Sequence, residues 1–230
     1  YRVRDVSMDW RDGKVEKISD ATTRGVGLQL YVDGRYSTAS TSDLRPEALD
    51  TFIADAIALA KTLTEDPFRV LPDPELYKGQ ASIDLKIDDP KYATVTADAR
   101  RKLVKEMETA ARGVEGSDSI LSVTTSWSDS LNESFLVTSN GFSGQRRDTS
   151  FFISASVSVK DKDGRRPEDY AYAGSRIYGE LPAAAAIGRD AASRAISRLG
   201  SKKGESAQLP MVIDNRAAGR MVSFLGQALS

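Results

Sequence analysis

The run from Phe151 to Lys160 constrains the fold more than any other stretch. Phe151, Ile153, Ala155, Val157 and Val159 alternate with Ser154, Ser156, Ser158 and Lys160, and a period of two puts the apolar set on one face of a strand and the hydroxyls on the other. Such a strand needs a covering layer on one side only, which favours an antiparallel sheet over a parallel sheet buried on both faces. Residues 119–128 and 133–138 carry the same patterning, and a further strand is expected over 169–175. Turns are expected at 129–132, Asn140-Gly141 and Asp163-Gly164.

Two hairpins are expected before this meander. Val6, Met8 and Trp10 lead into Asp12-Gly13 and continue through Val15 and Ile18; Val26, Leu28, Leu30 and Val32 lead into Asp33-Gly34, with a return strand over 35–41. Pro46 then opens a helix whose Leu49, Phe52, Ile53, Ala56, Ile57, Ala60 and Leu63 recur at helical spacing and call for a sheet to pack on. Residues 64–90 hold Pro67, Pro72, Pro74 and Pro90 without periodicity and read as a crossing loop. Thr96 caps a second helix with the face Leu103, Met107, Ala110, Ala111 and Val114, ending near Gly113 or Gly116. Pro182 opens a third, with Ile187, Ala191, Ala195 and Leu199 in line and Gly188 signalling close approach of a neighbouring backbone. Residues 208–213 read as a strand feeding a helix from Asp214 that carries Ala218, Met221, Val222, Leu225 and Leu229 on one face. That stripe has no following element, and the expectation is a truncated chain. The order predicts an α+β fold, a mostly antiparallel sheet with helices packed on one face, plus the start of a second domain. The expected division is 1–207 for the amino-terminal domain and 208–230 for the beginning of the next.

The chain has neither Cys nor His, which removes thiolate and imidazole catalysis, disulfides and the common zinc ligand sets. Chemistry performed by these residues would rest on carboxylates, Lys, Tyr, hydroxyls or backbone groups. With 32 Lys+Arg against 33 Asp+Glu the formal charge is −1, which argues against a nucleic-acid partner. The basic clusters Arg100-Arg101-Lys102, Arg146-Arg147, Arg165-Arg166 and Lys202-Lys203 read as solvated surface. No stretch approaches the ~20 apolar residues of a membrane span and no signal peptide opens the chain, so the expected address is cytoplasmic, with no membrane partner.

Individual motifs add little chemistry. Gly25-Val26-Gly27 lacks the third Gly of a phosphate loop and runs into a strand, so it reads as close packing at a strand start. Asp161-Lys162-Asp163-Gly164 has Tyr172 where a calcium loop needs its twelfth-position carboxylate, and reads as a hairpin turn. The pairs Asp88-Asp89 and Glu168-Asp169 are adjacent residues that point to opposite sides of an extended chain. The Ser/Thr-rich segments 117–130 and 150–158 give the sheet a face of small hydroxyls, which is solvated, lines a cavity, or offers an edge to an extended peptide.

Several segments together resemble the TldD/TldE peptidase family, and most of all its TldE branch, also called PmbA and once labelled a modulator of DNA gyrase. They are GVGLQLYVDGRYSTASTSDL (25–44), RPEAL (45–49), Glu65-Asp66-Pro67, TSNGFSG (138–144), and GRDAASRAISRLG (188–200) leading to PMVIDNRAAGRMVSFL. The resemblance implies a two-domain cytoplasmic protein whose carboxy-terminal domain, starting near Leu209, is mostly absent here. It further implies a heterodimeric metallopeptidase that cleaves unfolded or extended peptides, with antibiotic precursors and antitoxins among them. The TldD-like partner subunit would supply zinc on a His-Glu-x-x-x-His helix. No such helix exists in these residues, so no catalytic, cofactor-binding or metal-ligating residue is assigned and no cofactor is expected in this chain. The leading expectation is a non-catalytic, metal-free portion of a TldE/PmbA-like subunit engaged in peptide processing. The alternative is a stand-alone peptide- or protein-binding module without peptidase activity.

Overall fold

The computed structural model describes residues 1–79 and 83–229; Gln80, Ala81 and Ser82 of the expected crossing loop, and Ser230, lie outside the described residues. The strands are β1 (Arg2–Arg11), β2 (Lys14–Arg24), β3 (Val26–Val32), β4 (Arg35–Thr41), β5 (Ile120–Val137), β6 (Ser143–Val159) and β7 (Glu168–Ser175). The helices are α1 (Pro46–Ala60), α2 (Ala97–Arg112), α3 (Ala184–Ser197) and α4 (Asn215–Ala228). One antiparallel sheet runs β2-β1-β5-β6-β7, and a second pairs β3 with β4. Both amino-terminal hairpins turn where expected. Asp12 and Gly13 have φ of 46° and 82°, Asp33 and Gly34 have 49° and 71°, and positive φ at both central residues is what a tight two-residue turn between right-twisted strands requires.

The alternation of β6 becomes the core. Phe151, Ile153, Ala155, Val157 and Val159 are all buried, beside Val123, Thr125 and Trp127 of β5. Helices α2 and α3 cover that face with Val104, Met107 and Ala111 from one and Ile187, Ala191 and Ala195 from the other. Thr96 caps α2 by accepting a hydrogen bond from the Ala99 amide at 3.1 Å, and Gly113 ends it. The hydroxyls point the other way: Thr124, Ser126 and Ser128 pair with Ser156, Ser154 and Phe152 on the uncovered face. There the rings of Phe152, Tyr172 and Tyr170 stack in series, at 5.6 and 6.0 Å between centroids. Helix α1 packs on the small β3-β4 sheet through Ala56 and Ala60.

Three expectations fail. Residues 129–132 are not a turn, because β5 runs unbroken through them. Asp, Ser and Asn are turn-formers by local preference, but here long-range partners hold the strand straight. Asp129 is fully buried and accepts hydrogen bonds from Arg100 Nε (2.6 Å), Arg100 NH2 (3.1 Å), Tyr92 Oη (2.6 Å) and Trp127 Nε1 (2.5 Å). The second failure follows, since Arg100 is a core residue and not solvated surface. Third, residues 208–213 form no strand, and no strand among the described residues pairs with them. By internal contacts residues Tyr1–Leu199 make one unit and Gly200–Ser230 another. In the second, Asp214 caps α4 by accepting from the Arg216 amide at 2.9 Å, and Val222, Phe224 and Leu225 of that helix are exposed. No helix among the described residues is long and apolar enough to cross a membrane.

Gly188 lets α3 approach α2. A Cβ there would lie 2.0 Å from the Met107 carbonyl oxygen and 2.8 Å from its carbon, so the helices would have to separate. Gly188→Ala is expected to lower stability by about 1–3 kcal/mol or more, read as a lower urea midpoint. Burial, and then the hydrogen bond to Asp129, raise the Tyr92 phenol well above its ordinary value. The resulting stability is complete below pH ~10, where an unfolded tyrosine ionises, and is lost as pH rises beyond it. In the folded protein Tyr92→Phe should therefore leave the tyrosinate absorbance step near pH ~10 undiminished; loss of one eighth of the step, Tyr92 being one of eight tyrosines, would contradict this.

Candidate functional site

A cleft of about 690 Å³ lies along the small sheet. One wall is residues 27–31 of β3 with residues 38–40 of β4; the other is Leu71 of the crossing loop and residues 136–139, at the end of β5. Strand lengths explain why β5 reaches it. β1 pairs with β5 only as far as Arg2 opposite Glu133, and β7 pairs with β6 only as far as Ser175 opposite Phe151. Beyond those points β5 and β6 continue as a two-stranded ribbon, ending in the Thr138 to Gly144 turn.

The ribbon tip holds the crossing loop through a single amide. Asn140 Nδ2 donates to the Pro72 carbonyl at 2.5 Å, while its Oδ1 accepts from Tyr77 Oη at 3.2 Å and from Thr138 Oγ1 at 2.6 Å. Thr138 Oγ1 accepts in turn from the Phe142 amide, and the Phe142 ring meets Tyr77 at 5.1 Å between centroids. Gly141 takes φ 103°, which only Gly adopts readily. On the opposite wall the Asp33-Gly34 turn is tied to Glu65-Asp66: the Asp66 amide donates to the Gly34 carbonyl at 2.9 Å and Arg35 pairs with Glu65 at 2.9 Å. Two of the segments that carried the family resemblance, 25–44 and 138–144, thus face each other across the cleft, and a third, 65–67, is held to the turn of the first.

The sequence had pointed elsewhere for a cavity. The hydroxyl face built from 117–130 and 150–158 is the uncovered face of the large sheet, whereas the cleft takes its hydroxyls from Thr38, Ser40, Thr138 and Ser139. The signal for it in the sequence was the Asn140-Gly141 turn; the length of the two strands it joins shows only in the structure. Gly25 serves packing, as expected: its amide donates to the Tyr1 carbonyl at 3.1 Å, and a Cβ there would lie 2.7 Å from Tyr1 Oη. The adjacent carboxylates also diverge. Asp89 accepts from the Lys91 and Tyr178 amides at 2.8 Å each while Asp88 pairs with Arg147; Glu168 accepts from Ser156 while Asp169 pairs with Arg198.

None of this suits a metal. Among the described residues no three Asp, Glu, His or Cys side chains gather closely enough to hold one. Most buried carboxylate oxygens are already engaged by donors; Oδ1 of Asp88 accepts no hydrogen bond, but among the described residues it is not part of any group of three acidic side chains. Besides Asp129 and Asp89, Glu108 takes Trp10 Nε1, the Gly13 amide and Arg112, and Asp148 takes Arg146, Arg176 and Asn132. A divalent cation needs such oxygens free, so the residues present do not fit zinc.

Comparison with known proteins gives these observations a family. The profile described as PmbA/TldA metallopeptidase domain 1 matches residues 1–60, and that of the PmbA/TldA metallopeptidase central domain matches residues 90–199. The chain is 27% identical over 229 residues to the metalloprotease PmbA of Escherichia coli O157:H7, covering 98% of this chain and 49% of that protein. A crystal structure from Bacteroides thetaiotaomicron, described as a modulator of DNA gyrase, superposes with a TM-score of 0.92 at 32% identity, over 100% of this chain and 51% of that one. TldE from Thermococcus kodakarensis shares the fold, with a TM-score of 0.62 at 16% identity over 86% of this chain and 42% of its own. The chain spans about half the length of the relatives it matches. Asn140→Ala is expected to release the loop at Pro72 and Tyr77 while sparing the sheet, seen as faster amide exchange confined to residues near 71–77 and a global stability loss of only about 1–3 kcal/mol.

Proposed function

Since the chain belongs to the PmbA/TldA metallopeptidase family, we propose that it is the non-catalytic, metal-free part of a TldE/PmbA-like subunit in a heterodimeric peptidase. A TldD-like partner subunit holds the zinc and cuts extended or unfolded peptides; this subunit supplies a wall along which they lie, in the cytoplasm. The observation that carries the reading is the state of the metal-competent side chains. These 230 residues contain no His and no Cys, and the buried carboxylates are committed to Arg, Trp, Tyr or backbone donors. In a metallopeptidase family the ligands must then come from other residues, and we place them on the partner. The cleft supports the second half of the proposal, because an extended chain can lie along a strand and use its backbone hydrogen bonds.

The test is to purify the full-length protein and a TldD-like subunit separately and together. The expected results are co-migration of the two on size exclusion and peptide cleavage by the mixture that a chelator abolishes. Cleavage by the full-length protein without the partner, unaffected by chelation, would overturn the proposal.

A further inference from the structure

Resting on the reading that this chain lines a peptide path, we propose that the cleft selects an extended, uncharged segment of about six residues and rejects charged side chains. In a chain that is 28% charged, none of the thirteen residues lining the cleft carries a charge. Gln29, Thr38, Ser40 and Ser139 offer neutral hydrogen-bonding groups, and Leu28, Leu30, Leu136 and Val137 offer apolar surface. A charged side chain entering this space would lose hydration without gaining an opposite charge. A nucleotide or other anionic ligand would find no Lys or Arg to pair with.

The strand arrangement supplies the preference for an extended ligand. Among the described residues, β3 and β4 pair only with each other. Each therefore retains an edge at which a further strand can form backbone hydrogen bonds. Five consecutive residues of β3 line the cleft, and at ~3.3 Å per residue they extend over ~17 Å, matching a peptide of five or six residues.

A fluorescent hexapeptide of Ser, Thr, Val and Leu, and a twin with one central Asp, are titrated by anisotropy against the full-length protein assembled with its TldD-like subunit. The twin is expected to bind about tenfold more weakly or worse. Thr38 is exposed on β4, so Thr38→Lys should fold normally, weaken the uncharged peptide and strengthen the Asp twin; a gain of affinity cannot come from unfolding. Equal binding of the twins, no binding of either, or an unchanged ranking in Thr38→Lys would overturn the proposal. Size exclusion of the same samples separates the two claims. Intact assembly with the wrong ranking removes only the selectivity, whereas failure of the unaltered subunits to assemble removes the heterodimer reading.

Discussion

Asp129 sits in the middle of the central strand with no exposed side-chain surface, and its two oxygens take four donors from three different elements. Arg100 comes from α2, Tyr92 from the segment that ends the crossing loop, and Trp127 from the same strand two residues earlier. A buried carboxylate without these donors would face a desolvation penalty of several kcal/mol. α2, the loop and β5 can therefore form the core only in the one register that brings all three donors together. Replacing the pair with hydrocarbon of equal volume could leave stability unchanged, so the contribution to be expected from it is specificity. Apolar contacts among Trp127, Phe151 and Met107 tolerate sliding; an ion pair at 2.6 Å does not.

A second polar junction does the same at the other end of α2. Glu108 accepts from Trp10, Gly13 and Arg112, and Asp12 accepts from the Val123 amide at 2.9 Å and from Ser122 at 2.8 Å. The first hairpin is thereby fixed to both the helix and the central strand. So held, β1 pairs with β5 from Arg11 opposite Thr124 to Arg2 opposite Glu133. The family profile for the first domain covers residues 1–60 and that for the central domain 90–199, yet β1 of the former is hydrogen-bonded to β5 of the latter along its length.

What could be read in the sequence was whatever is decided locally. Asp-Gly dictates the two tight turns, Thr96 and Gly113 bound α2, and the period-two run in β6 names its buried residues correctly, because each depends on conformational preferences or periodicity within a few positions. Misreadings arose where a residue's partner is far along the chain. Asp129 looked like a turn residue and Arg100 like surface until each supplied the other's reason to be buried, 29 positions apart. Residues 208–213 are apolar enough to read as a strand, but no strand among the described residues pairs with them. The cleft was hidden for the same reason: the Asn140-Gly141 turn is legible locally, but Asn140 and its partner Pro72 are 68 residues apart.

The distribution of charge ties the scaffold to the site. The ion pairs that organise the core draw their carboxylates and guanidinium groups into the large sheet and α2, where low polarity strengthens each interaction and would penalise any partner left over. The β3-β4 hairpin bears its charges at its ends, with Arg35 bound to Glu65 near the turn and Asp43 bound to Arg45 where α1 begins, so the strand centres facing the cleft remain neutral. Recognition there is left to backbone groups, hydroxyls and apolar contact. Such interactions are individually weak, and the backbone part is indifferent to the ligand's sequence. On the proposed reading that suits a wall over which many different peptides must pass on their way to zinc held elsewhere, and it locates discrimination in what the cleft excludes.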